Sequence, residues 1–271
     1  MASVITTANG IDMHYEVFHP RATKTLVLLH GFTGSTKTWQ HVIERLSDDI
    51  RVFAIDLIGH GLTASPTQLA PYTMDAQVAM LEAFFAARNL TSFTLLGYSM
   101  GGRTALSYAM KHPERIEKLI LESTSPGLAI EEERAARRES DAKLAARILD
   151  EGIEAFTNFW QDIPLFNSQK ALPQAVQAEV RAERLAQNPI GLANSLKGMG
   201  TGAQRSYWQT LATFERPVSL ITGELDVKFY QKARDMQETL QKCSHHVAKR
   251  CGHAIHVENP ELFVTIVEKE I

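Results

Sequence analysis

Phe93-Thr94-Leu95-Leu96-Gly97-Tyr98-Ser99-Met100-Gly101-Gly102-Arg103-Thr104-Ala105-Leu106 decides the architecture. An apolar run, Phe93–Gly97, passes across four residues into a segment with helical spacing, Gly102–Lys111. Gly97-Tyr98-Ser99-Met100-Gly101 between them has the G-x-S-x-G form. A strand that turns sharply into a helix holds a serine at the tip, and flanking glycines relieve the crowding there. The helix N-terminus behind it offers unpaired N–H groups and positive potential to a developing anion. Five residues with three fixed match many chains by chance, so the strand–turn–helix context carries the reading.

The rest of the chain repeats that rhythm. Short apolar, non-alternating runs recur at Thr25–His30, Val52–Asp56, Lys118–Ser123, Val218–Gly223 and His245–Ala248. Runs of this kind are strands covered on both faces. Helical spacing separates most of them, at Trp39–Leu46, Thr73–Arg88 and Val227–Gln241. Strand–helix alternation implies right-handed crossovers and a mostly parallel sheet. Before it, Ser3–Ala8 and Ile11–Phe18 flank Asn9-Gly10, the signature of a type I′ hairpin. The fold class is therefore α/β, with an N-terminal antiparallel hairpin.

Residues 124–217 break the alternation. They hold a charge-rich helical stretch, Glu131–Leu149, an aromatic cluster, Phe156, Phe159, Trp160 and Phe166, and the boundary residues Pro164, Pro173 and Pro189. A structureless loop of that length does not belong in a compact domain. The expected organisation is a core of residues 1–123 and 218–271 with a helical cap inserted at 124–217.

Composition narrows the function classes. The 271 residues carry 28 Lys+Arg against 31 Asp+Glu, a net charge of −3, and 44% hydrophobic residues. A core can form, while no basic stripe offers a nucleic-acid footprint. The longest apolar runs, such as Leu26-Val27-Leu28-Leu29, fall far short of the ~18 residues of a membrane span. The N-terminus lacks the blocks of a signal peptide, and two cysteines, Cys243 and Cys251, cannot build a disulfide framework. A cytoplasmic protein, monomeric or a weak homo-oligomer, is the expectation. Neither a cofactor nor a metal is expected: no dinucleotide or phosphate-loop motif is present, and His245-His246 with the cysteines lacks zinc-site spacing.

A serine of this kind needs a base, and the base an orienting acid, in the order Ser, Asp or Glu, His. Asp226 follows the strand Val218–Gly223, and His253 follows the last strand, so both reach the rim that carries Ser99. Glu224 competes as the acid and His256 as the base. Asp226 is favoured as further from the strand end, and His253 because Gly252 frees its approach. The anion hole takes one N–H from Met100 and a second from Phe32, in the strand exit His30-Gly31-Phe32-Thr33-Gly34. Ile58-Gly59-His60-Gly61 reads as a further, structural tight turn.

Together these elements resemble the α/β-hydrolase fold over nearly the whole chain. A narrower resemblance follows from Glu122-Ser123-Thr124-Ser125-Pro126-Gly127-Leu128, Glu133-Arg134-Ala135-Ala136-Arg137-Arg138-Glu139-Ser140-Asp141 and Ser195-Leu196-Lys197-Gly198-Met199-Gly200-Thr201-Gly202. These, and the turn Gly97–Arg103, are similar to the MenH-type 2-succinyl-6-hydroxy-2,4-cyclohexadiene-1-carboxylate synthases of menaquinone synthesis. The resemblance implies a lyase in which a base removes a proton and pyruvate leaves. Its substrate carries three carboxylates, which planar guanidinium groups hold well. By position, the resemblance assigns this to Arg103, Arg137 and, further along the cap, Arg184. Tyr98 would donate to a carboxylate, and Phe159 and Trp160 would form an apolar roof. Glu131–Arg147 holds five acids and five bases, so most of that stretch is a solvated helix face, Arg138 included. A serine hydrolase acting on an ester or a carbon–carbon bond is the rival on the same fold, and a ligand receptor with a retained pocket is the third reading.

Overall fold

The hairpin forms where the turn chemistry places it. Asn9 and Gly10 both take left-handed backbone angles (φ 49° and 77°), and β1 (Ala2–Ala8) pairs antiparallel with β2 (Ile11–Phe18) from Ala2↔Val17 to Ala8↔Ile11. The computed structural model describes residues 2–271. β3 (Lys24–Leu29), β4 (Ile50–Ile55), β5 (Phe93–Tyr98), β6 (Ile116–Glu122), β7 (Val218–Gly223) and β8 (Cys243–Ala248) complete one eight-stranded sheet. Its order is β1-β2-β4-β3-β5-β6-β7-β8, with β2 antiparallel to β4 and every later pairing parallel.

The apolar runs sort by the period of a strand. Val27, Leu29, Phe93 and Leu95 join the core on one face of the sheet, and Leu26, Leu28, Leu96 and Tyr98 join the core on the other. The first face is covered by α2 (Met74–Ala87), α3 (Met100–Lys111) and α7 (Val227–Thr239), which supply Phe84, Phe85, Tyr108 and Met236. The second is covered by α1 (Gln40–Ile43), α8 (Ile255–Glu258) and α9 (Pro260–Glu270), with Trp39 packed beside them. Each fully buried Leu, Phe or Met contributes ~1.5–3 kcal/mol of transfer free energy, so this two-sided burial is what fixes the central strands.

Between β6 and β7 lie α4 (Glu131–Trp160), a 3₁₀ segment (Pro164–Ala171), α5 (Gln174–Leu185) and α6 (Pro189–Met199). α4 runs eleven residues past the charge-rich stretch but breaks at Gly152, whose φ is 82°. The prolines stand at element starts, Pro173 before α5 and Pro189 as the first residue of α6. Ala145, Ile148 and Phe156 of α4 bury against Leu192, Ala193 and Leu196 of α6, giving this helical layer its own small core.

Two expectations change. The helix expected over Trp39–Leu46 shrinks to one α-helical turn, because a Ser35 capping box first opens a 3₁₀ turn at Thr36–Trp39. The helix α9 was not foreseen, although Asn259 caps it through Leu262 N and Pro260 opens it. Among the described residues no helix is long and apolar enough to cross a membrane.

Candidate active site

Ser99 occupies the turn between β5 and α3 with φ 49° and ψ −104°, a strained conformation for a residue with a side chain. Its neighbours hold it there. Ser99 N donates to Glu122 O at 2.8 Å, and Ser99 O accepts from Arg103 N at 3.0 Å and from Thr124 Oγ1 at 2.8 Å. The flanking glycines answer a steric need: a Cβ on Gly97 would overlap the Gly101 carbonyl, and one on Gly101 would overlap that of Leu29.

The base and the acid arrive from two later strand ends. His253 Nε2 lies 3.0 Å from Ser99 Oγ, and His253 Nδ1 lies 2.6 Å from Asp226 Oδ2. With Nδ1–H donated to the carboxylate, Nε2 is left to accept the serine proton. Asp226 is also the N-cap of α7, its Oδ1 accepting from Phe229 N at 3.3 Å. The ring of His253, 1% exposed as a residue, packs against Phe229 at 4.7 Å and Tyr98 at 5.3 Å.

The competing residues have other partners. Glu224 is exposed and accepts from Arg250 N at 2.9 Å. His256 gives its Nδ1 to the buried Glu122, 2.7 Å from Oε2.

Beside Ser99 the first N–H of α3, that of Met100, has no acceptor inside its own helix. The loop carrying Phe32 is held by a neutral imidazole. His30 Nδ1–H donates to Gly31 O at 2.7 Å, and its Nε2 accepts from Leu57 N at 3.0 Å. Complete burial lowers the pKa of His30, which keeps that arrangement uncharged. The Ile58–Gly61 turn is structural as expected: His60 Nδ1–H donates to Ile58 O at 3.0 Å, and burial brings its pKa down to about 3.

A cavity of ≈ 890 Å³ opens from Ser99, Met100 and His253 toward the helices of residues 124–217. Phe32 and Trp160 wall it, their rings edge to face at 5.4 Å, with Phe156 stacked on Trp160 at 5.6 Å. Phe159 stands at the rim, 38% exposed, under the Arg147 guanidinium at 4.2 Å.

Two of the three expected arginines line this cavity. Arg103 Nη1 donates to Met199 O and to Gln204 Oε1, each at 2.7 Å. Burial, reinforced by Arg137, draws its pKa down to about 10, so it remains a cation at neutral pH. Arg137 Nε donates to Asp141 Oδ1 at 2.8 Å. Lys228 and Lys232 of α7 also face the cavity and went unnamed in the sequence reading. Their signal was available, since an i, i+4 pair of lysines follows directly on the N-cap Asp226.

Arg184 and Tyr98 meet in a cleft that adjoins this cavity, with Phe32 lining both and the Tyr98 ring 5.3 Å from that of His253. That ≈ 40 Å³ cleft is also lined by Gly31, Phe166, Glu183 and His256. The strand period sends the Tyr98 ring to the opposite sheet face, 4.5 Å from the ring of His256, and burial pushes its hydroxyl pKa well up. Arg184 lies over Phe166 at 4.6 Å, with Nη2 3.4 Å from Gln169 Oε1. Arg138 is exposed, as expected of the solvated face, and donates to Glu131 Oε1 at 2.6 Å and to Gly202 O at 3.0 Å.

Comparison with known proteins agrees with this geometry. Residues 24–260 match the family model described as alpha/beta hydrolase fold. A Bacillus subtilis (strain 168) protein provisionally named 2-succinyl-6-hydroxy-2,4-cyclohexadiene-1-carboxylate synthase is 43% identical over 265 residues, 98% of this chain and 96% of that one. The Enterobacter sp. (strain 638) protein of the same name is 34% identical over 235 residues, 87% of this chain and 86% of that one. The solved structure of MenH from S. aureus superposes with a TM-score of 0.90 at 36% identity, covering 94% of this chain and 96% of that one. With its sheet, its serine turn and these relatives taken together, the chain belongs to the α/β-hydrolase fold family and, within it, to the 2-succinyl-6-hydroxy-2,4-cyclohexadiene-1-carboxylate synthases.

Proposed function

We propose that the protein is a carbon–oxygen lyase. It eliminates pyruvate from 2-succinyl-5-enolpyruvyl-6-hydroxy-3-cyclohexene-1-carboxylate to give 2-succinyl-6-hydroxy-2,4-cyclohexadiene-1-carboxylate in menaquinone synthesis. The observation that carries this reading is the meeting of Arg103 and Arg137 with Ser99 and His253 in one cavity. An enzyme for neutral esters has no use for two guanidinium groups there, whereas a tricarboxylate substrate needs fixed cations.

In the proposed step His253 takes the Ser99 proton, and the Ser99–His253 couple removes a ring proton from the substrate. The released electron pair forms the C2–C3 double bond, the C3–C4 pair moves to C4–C5, the C5–oxygen bond breaks, and the departing enolpyruvate takes up the proton held on His253 to become pyruvate. Asp226 stabilises the imidazolium that forms on His253. The N–H groups of Phe32 and Met100 face the developing negative charge. Arg103 and Arg137 hold carboxylates, Trp160 and Phe32 keep the ring apolar on one side, and residues 124–217 act as the cap. No cofactor or metal enters this scheme.

The test is incubation of the purified protein with the enolpyruvyl precursor, following pyruvate release and the absorbance of the diene. Equal amounts of the two products are expected. Pyruvate without diene, or neither, would refute the assignment.

A further inference from the structure

We propose that Glu258 is a positioning residue for His253 and that it ties the placement of this base to the helical segment above the cavity. The inference rests on His253 being the base of the proposed reaction. His253 lies in the short stretch between β8 and α8, and its ring can meet Ser99 and Asp226 only if the backbone on both sides is held. One carboxylate does that holding. Glu258 Oε2 accepts from Gly252 N at 2.6 Å, and Oε1 accepts from Ala254 N at 3.4 Å, so the group straddles His253.

The same carboxylate reaches upward. Ser168 Oγ, in the 3₁₀ segment Pro164–Ala171, donates to Glu258 Oε1 at 3.0 Å. Ser168 also closes over Gly252, where an added Cβ would overlap its hydroxyl. Two residues away, Phe166 stands 6.2 Å from the His253 ring. Among the described residues no cation pairs with Glu258 within salt-bridge distance. Its charge is balanced by neutral donors alone: two amides of the His253 loop and one hydroxyl from the segment above. Burial, with the field of Glu122 adding to it, raises its pKa, so the site holds this charge at a cost. Charge-assisted bonds to backbone amides set position more sharply than neutral ones. A catalytic ring held by such a supporting group loses activity when the support slackens by a fraction of an ångström.

Three readouts test this. Glu258→Gln keeps the size but turns an NH₂ toward one of the amides. We expect kcat to fall at least ~10-fold with KM changed less than ~2-fold, because Glu258 touches no substrate. Ser168→Ala, at a half-buried position, removes only the bond from above and should lower kcat ~3-fold. The double variant should be no worse than Glu258→Gln alone, because both changes act through one carboxylate. The rate at which a small neutral fluorophosphonate labels Ser99 in the free enzyme should drop by the same factor as kcat.

Unchanged kcat and labelling alongside a lowered Tm would make Glu258 merely structural and overturn the proposal. Losses that multiply in the double variant would overturn the link to the segment above. A wild-type Ser99 that takes no label, with Ser99→Ala still active, would remove the triad reading itself and the positioning role with it.

Discussion

Asp141 Oδ1 accepts from Arg137 Nε at 2.8 Å, while its Oδ2, also buried, has no hydrogen-bond partner among the described residues. A half-used carboxylate thus sits in a cavity that also holds Arg103. Burial raises the Asp141 pKa, and both arginines pull it back. Asp141 is the counter-charge between two mutually repelling guanidinium groups that line one cavity.

The arginines should therefore be costly to lose. Removing one partner of a desolvated charge pair costs ~2–5 kcal/mol. Arg103→Ala and Arg137→Ala are expected to lower kcat/KM at least ~30-fold, at ~1.4 kcal/mol per tenfold. Lys should rescue only partly, because it lacks the bidentate fork. Arg103→Ala also leaves Met199 O and Gln204 without their donor, so its Tm must be measured alongside. Slow hydrolysis of a small neutral ester should survive both changes; an equal loss there would point to damage to the fold or the triad.

Arg138 separates charge from position. Its Ala variant loses a bond to the Gly202 carbonyl worth ~0.5–1.5 kcal/mol. A lower Tm with kcat/KM within ~2-fold is expected from steady-state kinetics and thermal melts. A large loss of kcat/KM would move Arg138 into the site.

Ser99→Ala, Asp226→Asn and His253→Ala should each slow turnover at least ~100-fold. Combining them should add little, since one hydrogen-bonded unit is already broken by the first change. Glu224→Gln, at an exposed residue bonded to Arg250 N, should stay within ~2-fold. A damaging Glu224 variant would reassign the acid.

An elimination leaves no acyl group on the protein. Intact-protein mass spectra taken during turnover should show the unmodified mass only. An adduct on Ser99 that forms and decays at the catalytic rate would shift the reaction to a hydrolase or acyl transferase.

Buried histidines give stability a pH dependence of two signs. The hydrogen bond to Asp56, at 2.7 Å, raises the pKa of His14. Its contribution is complete below pH 6.5 and fades as pH rises through the higher native value. His60 is held neutral by burial, its pKa lowered to about 3. Its contribution is complete above pH 6.5 and is lost as pH falls toward 3, at up to ~1.4 kcal/mol per unit. The Tm gap between wild type and His14→Gln should therefore be wider at pH 5.5 than at pH 9. His60→Gln should flatten the fall of Tm on acidification. Parallel Tm curves for all three proteins would refute both assignments.

Much of the site was legible because local geometry carries it. Asn9-Gly10 dictates its turn wherever it sits, and Leu26–Leu29 demands cover on both faces. Ser99, Asp226 and His253 each follow a parallel strand, so topology alone delivers them to one rim. The strand period groups Tyr98 with Leu96, where its ring meets those of His253 and His256. Helix α9 was readable from Asn259-Pro260 and its buried Phe263, Val264, Ile266 and Val267.

Other features have no local signature. Arg137 and Arg184 sit on neighbouring helices, yet one lines the cavity of Ser99 and the other lies over Phe166. Glu258 looks like any acid at a helix end until Gly252, Ala254 and Ser168 converge on it. The sequence alone determined the strands, the turns and the order in which Ser99, Asp226 and His253 reach one rim, because backbone sterics and apolar period act over a few residues. Only the tertiary structure decided which charged side chains face the cavity and which brace its loops. Those choices depend on packing between helices far apart in the chain, where a rotation of one helix face exchanges solvent for substrate.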